Sequence, residues 1–408
     1  MTEGDGAVTL PRRPWRLFSD DRAFWRMAAV LFGSISFAKG ARAPSRWAAT
    51  QALINYDHGL VKRGLFGATL GHWLSLERYE RFTVVSYVLL ATFFALLIAF
   101  AVRSGVGTGM GAWEPVALFF SSFAVTYLVS LVGYLDICLG ILTLLLLLVR
   151  DARLRFALGL PLCVIAMLIH EMFLFVFLPA VLFSFVIDGM RTEDQRGRRM
   201  IWSFALILFV ISAGVAVGLA LKQPMSDAQV RSLSDEAAER ADFPVRDDFF
   251  DVLTRSGAQN VRVVVDIYLH ERHWDFLFAL AAVVFAPVAL LLSLMIAAHV
   301  RSNFQGVARR RLLVLAISAA LSPLLMHMIG WDNARWDALV CLEEFLVLGI
   351  LVRARPEYGL ALNHGYRNAT VLVMALSMIT GESLMEFREP NWYPFTESVR
   401  SLAHTLHQ

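Results

Sequence analysis

Residues 150–199 read RDARLRFALGLPLCVIAMLIHEMFLFVFLPAVLFSFVIDGMRTEDQRGRR, and this stretch decides how the chain is built. Its interior, 156–188, consists of two apolar runs that meet at His170-Glu171. A single helix of that length would measure about 50 Å, whereas the hydrocarbon core of a bilayer is about 30 Å thick. Arg150, Arg153 and Arg155 stand before the runs, and Arg191, Arg196, Arg198 and Arg199 stand after them. Short cytoplasmic loops collect Lys and Arg. Both ends therefore belong on the cytoplasmic side, and the chain must turn round between them. The turn falls at His170-Glu171.

Working outward, similar apolar blocks recur at 116–132, 137–149 and 201–221. The 408 residues are 57% hydrophobic and 17% charged, with 30 Phe and 10 Trp. Soluble domains average roughly 45–50% apolar and about 25% charged, so a string of soluble domains is excluded. The net charge of +3 is too small to point to nucleic acid as a partner. Cys138, Cys163 and Cys341 all lie in apolar blocks, as small core residues do, and no disulfide framework is expected. The first apolar run, 27–38, follows a basic amino terminus but lacks a small-residue cleavage site, so it reads as a retained span.

The expected fold is an all-α polytopic membrane protein with about eleven transmembrane helices, several of them shorter than the roughly 20 residues a full crossing needs. Their expected positions are 24–40, 81–102, 114–132, 136–149, 156–170, 171–188, 200–221, 275–298, 312–330, 338–352 and 368–381. Arginine-bearing segments at the amino terminus, Arg103, 150–155, 191–199, 301–311 and 353–367 occupy every second loop. The amino terminus is then cytoplasmic and the carboxyl terminus outside. The parts are a cytoplasmic segment 1–23, an N-terminal membrane module 24–221 with a first outer loop 41–80, an extracytoplasmic helical loop 222–274, C-terminal membrane helices 275–381 and an extracytoplasmic tail 382–408. In the first outer loop, 45–56 and 68–76 read as amphipathic interfacial helices, with Trp47, Leu53, Ile54 and Tyr56 turned to the interface.

This topology brings Asp57, Asp136, His170, Glu171, Asp266, His270, His273, Asp332, Asp337 and Glu382 to the outer side. Ionisable groups at membrane depth are costly and mark cavities or function. The first outer loop carries the run 55–67, NYDHGLVKRGLFG. Glycines at 59, 64, 67 and 71 permit tight turns and close backbone approach. Lys62-Arg63 supplies two adjacent cations suited to a phosphate or pyrophosphate, with Asp57 placed as a base beside it. The plain alternative is that both cations reach lipid headgroups while Asp57 neutralises one of them.

His170-Glu171 reads either as a hydrogen-bonded pair fixing the turn or as a catalytic or substrate-binding pair. It is not a zinc-protease motif, because the fifth position is Leu174 rather than His. In loop 222–274, Ser226 and Gln229 match a capping box. Asp266, His270 and His273 share one helix face by spacing, but a zinc site needs three or four ligands and a solvated face is the commoner use. No cofactor is expected, and a divalent metal is the weaker alternative. The run 331–337, WDNARWD, closes the ninth span. Trp331 and Trp336 fit the interfacial aromatic belt; with Asp332 and Arg335 they equally suit sugar binding, rings stacking on tryptophan and hydroxyls meeting charge. Glu343 and Glu344 are buried acids in the tenth span without an assigned role. The chain has no P-loop, no dinucleotide glycine fingerprint, no paired Cys motif and no repeat of the kind many transporters show.

A first span, then an outer loop of about 40 residues with two interfacial helices and an early Asp, then many short spans, resembles the C-type superfold of membrane glycosyltransferases. Asp57 with Lys62-Arg63-Gly64-Leu65-Phe66-Gly67, His170-Glu171 and Asp332 with Arg335-Trp336 also resemble bacterial inner-membrane proteins of surface-polysaccharide loci, the neighbourhood of repeat-unit polymerases. The likeness is architectural over the first half of the chain. His58 stands where the superfold pairs a second acid, and the His-Pro-Pro run that often follows is absent. The resemblance implies transfer from polyprenyl-phosphate-linked saccharides on the periplasmic face of the inner membrane. Asp57, His170 and Glu171 would then be catalytic; Lys62, Arg63, Asp136, Trp331, Asp332, Arg335 and Trp336 would bind substrate. Membrane lipid and other polysaccharide-assembly proteins are the further partners expected. The alternatives are a transporter or flippase of lipid-linked saccharides, which the one-sided clustering disfavours, and an acyl or phosphoethanolamine transferase.

Overall fold

The computed structural model describes residues 21–57, 59, 61–106, 113–221, 225–255, 257–270, 272–330, 332–354 and 364–379. All regular structure among them is helical. The order begins α1 Asp21–Gly40, α2 Arg46–Gln51 and α3 Gly64–Phe66, which runs on through a π-helical turn Gly67–Gly71. There follow α4 Tyr79–Arg103, α5 Trp113–Phe120, α6 Phe123–Ser130, α7 Leu135–Leu148, α8 Ala152–Ile169, α9 Phe173–Val176, α10 Leu178–Arg191 and α11 Gln195–Leu221. The second half comprises α12 Asp227–Arg240, α13 Asp247–Thr254, α14 Gly257–His270, α15 Arg272–Asn303, α16 Gly306–Ala320, a 3-10 segment Ser322–Met328, α17 Asn333–Ala354 and α18 His364–Ile379. The segment 1–20 and the tail 382–408 lie outside the described residues.

The stretch 150–199 folds as a hairpin. Asp151 caps α8, accepting from the Leu154 amide at 2.7 Å, and His170 ends it in an extended conformation. Arg155, in the first turn of α8, donates to Ser184 midway along α10 at 3.0 Å and to Asp188 near its end at 2.7 Å. Residues 33 positions apart can meet this way only if the chain reverses between them. A fully buried guanidinium is tolerated there because the carbonyls of Val149 and Arg150 take its other protons.

Among the described residues five helices are long and apolar enough to cross a membrane: Tyr79–Arg103, Ala152–Ile169, Phe173–Arg191, Gln195–Leu221 and Ala279–Asn303. Counting α5 with α6, bent by 51°, and α16 with the 3-10 segment, bent by 46°, as one span each raises the number to seven. That is fewer than the eleven expected from the sequence. The difference lies in α1, α7, α17 and α18: α7 and α18 have 14 and 16 residues, and α1 and α17 carry several charges. Much of α11 is apolar yet uncovered, with Leu206, Val210, Val217 and Leu221 each more than half exposed. Apolar surface of that extent is matched by lipid, not water. The chain is an all-α membrane protein.

At the centre runs α17, packed by α15, α16, α10 and α6, with every residue buried except Asp337 and Arg353. The first outer loop differs from expectation. α2 spans only Arg46–Gln51, and Ala48–Gln51, Leu53 and Ile54 are buried in protein, not turned to an interface. The cover comes from loop 222–274: Trp47 meets Phe249 edge to face at 5.1 Å, and the Arg246 amide donates to Thr50 at 3.0 Å. Ser226 and Gln229 form a reciprocal capping box at the start of α12. In the following piece Leu70, Trp73 and Leu74 stay exposed, Trp73 at 85%.

Candidate functional site

Helix direction sorts the polar groups into two ends. At one end Arg353 donates to the carbonyl of Leu147, beside Arg155 and the carbonyls of 149 and 150. α7, α8 and α17 all have one terminus there. Their other termini carry Asp136, His170 and Arg335, which therefore share the opposite end.

Two forked ion pairs form there. Arg335 donates through Nε to Asp136 at 3.2 Å and approaches its second oxygen through Nη2 at 2.6 Å. The pair is enclosed, Asp136 being 1% and Arg335 11% exposed in their side chains. Arg335 also stacks on Tyr134 and Trp336, 5.3 and 4.8 Å from the ring centres. The second fork joins Arg63, in the loop between α1 and α4, to Glu171, Nη2 to Oε1 at 3.0 Å and Nε to Oε2 at 3.4 Å. Met172 links the two: its amide donates to His170 Nδ1 at 3.2 Å, and its sulfur accepts from Arg335 Nη2 at 3.5 Å. Each fork uses Nε and Nη2 only. Among the described residues neither Nη1 has a hydrogen-bond partner; the Arg335 Nη1 lies 3.8 Å from Asp332, beyond bonding distance.

His170 Nδ1 lies 3.2 Å from the Met172 amide and 3.3 Å from Glu171 Oε2, so it accepts from the amide when it carries no proton and faces the carboxylate when it carries one. Burial, and then the Arg63 cation, push the His170 pKa down. Burial, the largest single influence, would lift the Glu171 carboxyl, but Arg63 and His170 together outweigh it and hold that carboxyl well below the ordinary 4.5. Burial, with Asp136 adding to it and Arg335 opposing it, raises Asp332. Asp332, 37% exposed in its side chain, accepts from Tyr127 at 3.2 Å.

Arg63 adopts a left-handed backbone, φ +64°, which costs a non-glycine residue on the order of 1 kcal/mol. The turn starts α3 at Gly64, whose Cα lies so close under Tyr56 that a Cβ would collide with the ring. Gly67 is pressed likewise onto the carbonyl of Ile54. Tyr56 against Gly64 brings Asp57 and Arg63, their chain neighbours, to one corner. Asp57 is exposed there, and it bonds Asn55 through both its carboxylate and its amide rather than either fork. Lys62 is half-buried and makes no ion pair among the described residues.

The remaining sequence candidates separate. Trp336 is buried, donates to the Gly330 carbonyl at 3.3 Å and has Arg335 on its face, so its ring is engaged within the protein. Trp331, His58 and Glu382 lie outside the described residues, as does the His273 side chain. Asp266 and His270 are exposed, and His270 bonds the Asp266 carbonyl at 3.1 Å, not its carboxylate. Among the described residues no three His, Cys, Asp or Glu are placed to hold a metal ion. Sequence reading missed Tyr127, Tyr134 and Met172, and the cluster of His327 with Asn333 at 2.8 Å and Asp337 at 3.0 Å. Tyrosines seven apart at a span end were the only signal for the first two. Comparison with protein-family models, curated protein sequences and solved structures finds no match to this chain.

Proposed function

We propose that this chain is a membrane glycosyltransferase or polysaccharide polymerase that uses polyprenyl-phosphate-linked saccharides on the periplasmic face of a bacterial inner membrane. The observation that carries this reading is the pair of linked forks, each leaving one guanidinium nitrogen uncommitted at the same end of the bundle. A guanidinium already fixed by a carboxylate offers a rigid N–H to a phosphate oxygen, and such charge-assisted bonds are about twice as strong as neutral ones. Lys62 adds an ammonium beside Arg63. The leaving polyprenyl phosphate gathers negative charge as the glycosidic bond breaks, and cations fixed in advance stabilise that charge most.

The base that takes the acceptor hydroxyl's proton is assigned to Asp57. Glu171 is neutralised by Arg63 and Asp136 by Arg335, so both are poor bases. The side-chain partner of Asp57 is an uncharged amide, and it stands exposed at the corner beside Arg63. His170 positions the turn through Met172. We propose about eleven spans with the amino terminus inside. The directions of α7 and α17, and the contact of Lys39 in α1 with the Ser377 carbonyl of α18 at 2.8 Å, support it. Helices enclosed by other helices need not be apolar on every face.

The test is reconstitution of the purified chain in vesicles with a labelled polyprenyl-diphosphate-linked saccharide. A new glycosidic bond, formed by the wild type and lost in Asp57→Asn, is the expected result. Movement of the intact lipid-linked saccharide across the bilayer with no new bond would replace the enzyme by a transporter.

A further inference from the structure

α17 carries an acid that the outer site does not use. Glu343 is fully buried, and neither carboxyl oxygen has a hydrogen-bond partner among the described residues. It lies about 12 Å along the helix from Arg335 and about 15 Å from Arg353, at 1.5 Å per residue. That puts it midway between the two polar ends. Its neighbour Glu344 is equally enclosed; one oxygen accepts from Ser293 of α15 at 2.6 Å and the other is unpartnered.

Two ways exist to neutralise such groups. A shared metal ion would need oxygens from both, but consecutive helical residues point about 100° apart. Glu344 is turned to α15, so Glu343 faces elsewhere. The charged groups of the helices packed round α17 are engaged or remote. Glu114 of α5 pairs with Arg367, Asp188 of α10 pairs with Arg155, and His299 of α15 sits against Asn303. The other charges of α4, α10 and α15 stand near their helix ends, Arg309, Arg310 and Arg311 lie in the first two turns of α16, and His327 of the 3-10 segment bonds Asn333 and Asp337. An ionised carboxylate without a partner in a medium of low dielectric takes up a proton.

We propose that Glu343 is a proton-binding site in the interior of the bundle, a neutral carboxylic acid at neutral pH that exchanges its proton with water. Proton release leaves a buried carboxylate with no hydrogen-bond partner among the described residues, which a displacement of α17 or entry of water would relieve. The same helix carries Arg335, so proton binding at mid-membrane is linked to the outer site. This goes beyond glycosyl transfer and does not depend on it.

Infrared spectroscopy of the full chain in detergent at neutral pH tests it without any saccharide. The expected result is a protonated-acid C=O band that disappears in Glu343→Gln, persists in Glu344→Gln and shifts when heavy water replaces water. Glutamine matches the protonated acid in shape, so the variant should fold; if it does not, uniform 13C-glutamate labelling of the Glu344→Gln chain must shift the same band. Absence of the band at neutral pH would overturn the proposal. So would a band lost only in Glu344→Gln, or one that does not respond to heavy water.

Discussion

Arg63 and Glu171, 108 residues apart in the chain, meet through a two-bond fork that ties the loop after α1 to the turn between α8 and α9. Removing either partner should therefore act on both segments. Arg63→Ala is expected to weaken donor binding about ten- to hundredfold, the worth of one charge-assisted contact. Arg63→Lys should restore only part of this, because an ammonium cannot make the fork. Binding of labelled lipid-linked saccharide to the purified variants measures it; full activity in Arg63→Ala would remove Arg63 from the site.

Asp57→Asn keeps size and shape and removes the base. Donor binding should stay near the wild-type value while turnover falls by a factor on the order of a hundred or more. Measuring binding and product formation separately decides it, and unchanged turnover would return Asp57 to the role of a counter-charge.

Arg335→Ala leaves Asp136 buried without its cation. Breaking an enclosed pair in this way costs about 3–5 kcal/mol, against little for exposed pairs. A large drop in thermal stability in detergent is expected. Combining it with Asp136→Asn should recover much of the loss, since the uncompensated charge is then gone. An equal loss in the double variant would mean that packing on Tyr134 and Trp336, not charge, sets the stability.

Glu171 gives a pH dependence with a definite sign. Its carboxyl is held below the unfolded value near 4.5, so its stabilising effect is fully present above that pH and lost as pH falls through the folded value. The stability difference between wild type and Glu171→Gln should be level from neutral pH to about pH 5 and shrink only in stronger acid. Thermal unfolding of the two across that range reads it directly.

For the topology, Arg240→Cys should react with a membrane-impermeant thiol reagent on intact cells and Arg196→Cys should not. The three native cysteines are buried, so the background is low. The reverse pattern would invert the proposed orientation and move the forks to the cytoplasmic side.

Legibility varied along the chain for physical reasons. The reversal at His170-Glu171 could be read because bilayer thickness limits helix length and arginine marks the cytoplasmic side. α2 could not: its alternation of apolar and polar residues suits a membrane interface and a protein neighbour alike, and only the fold puts Phe249 of α13 over Trp47. The ionisable residues of the end that carries the forks were visible one by one. Their pairing was not.

The sequence by itself determined that the chain is a bundle of apolar helices and which residues stand at the helix ends, since hydropathy, length and charge are local properties. Tertiary structure alone decided that Arg335 pairs with Asp136 and Arg63 with Glu171, while Asp57 at the same end has no cation among the described residues. It alone also decided that α17, with its five charged residues, is the enclosed centre of the bundle. Ion pairing depends on distances between segments far apart in the chain. Tolerance of charge inside a membrane depends on which neighbours exclude lipid, and both are set only when the helices pack.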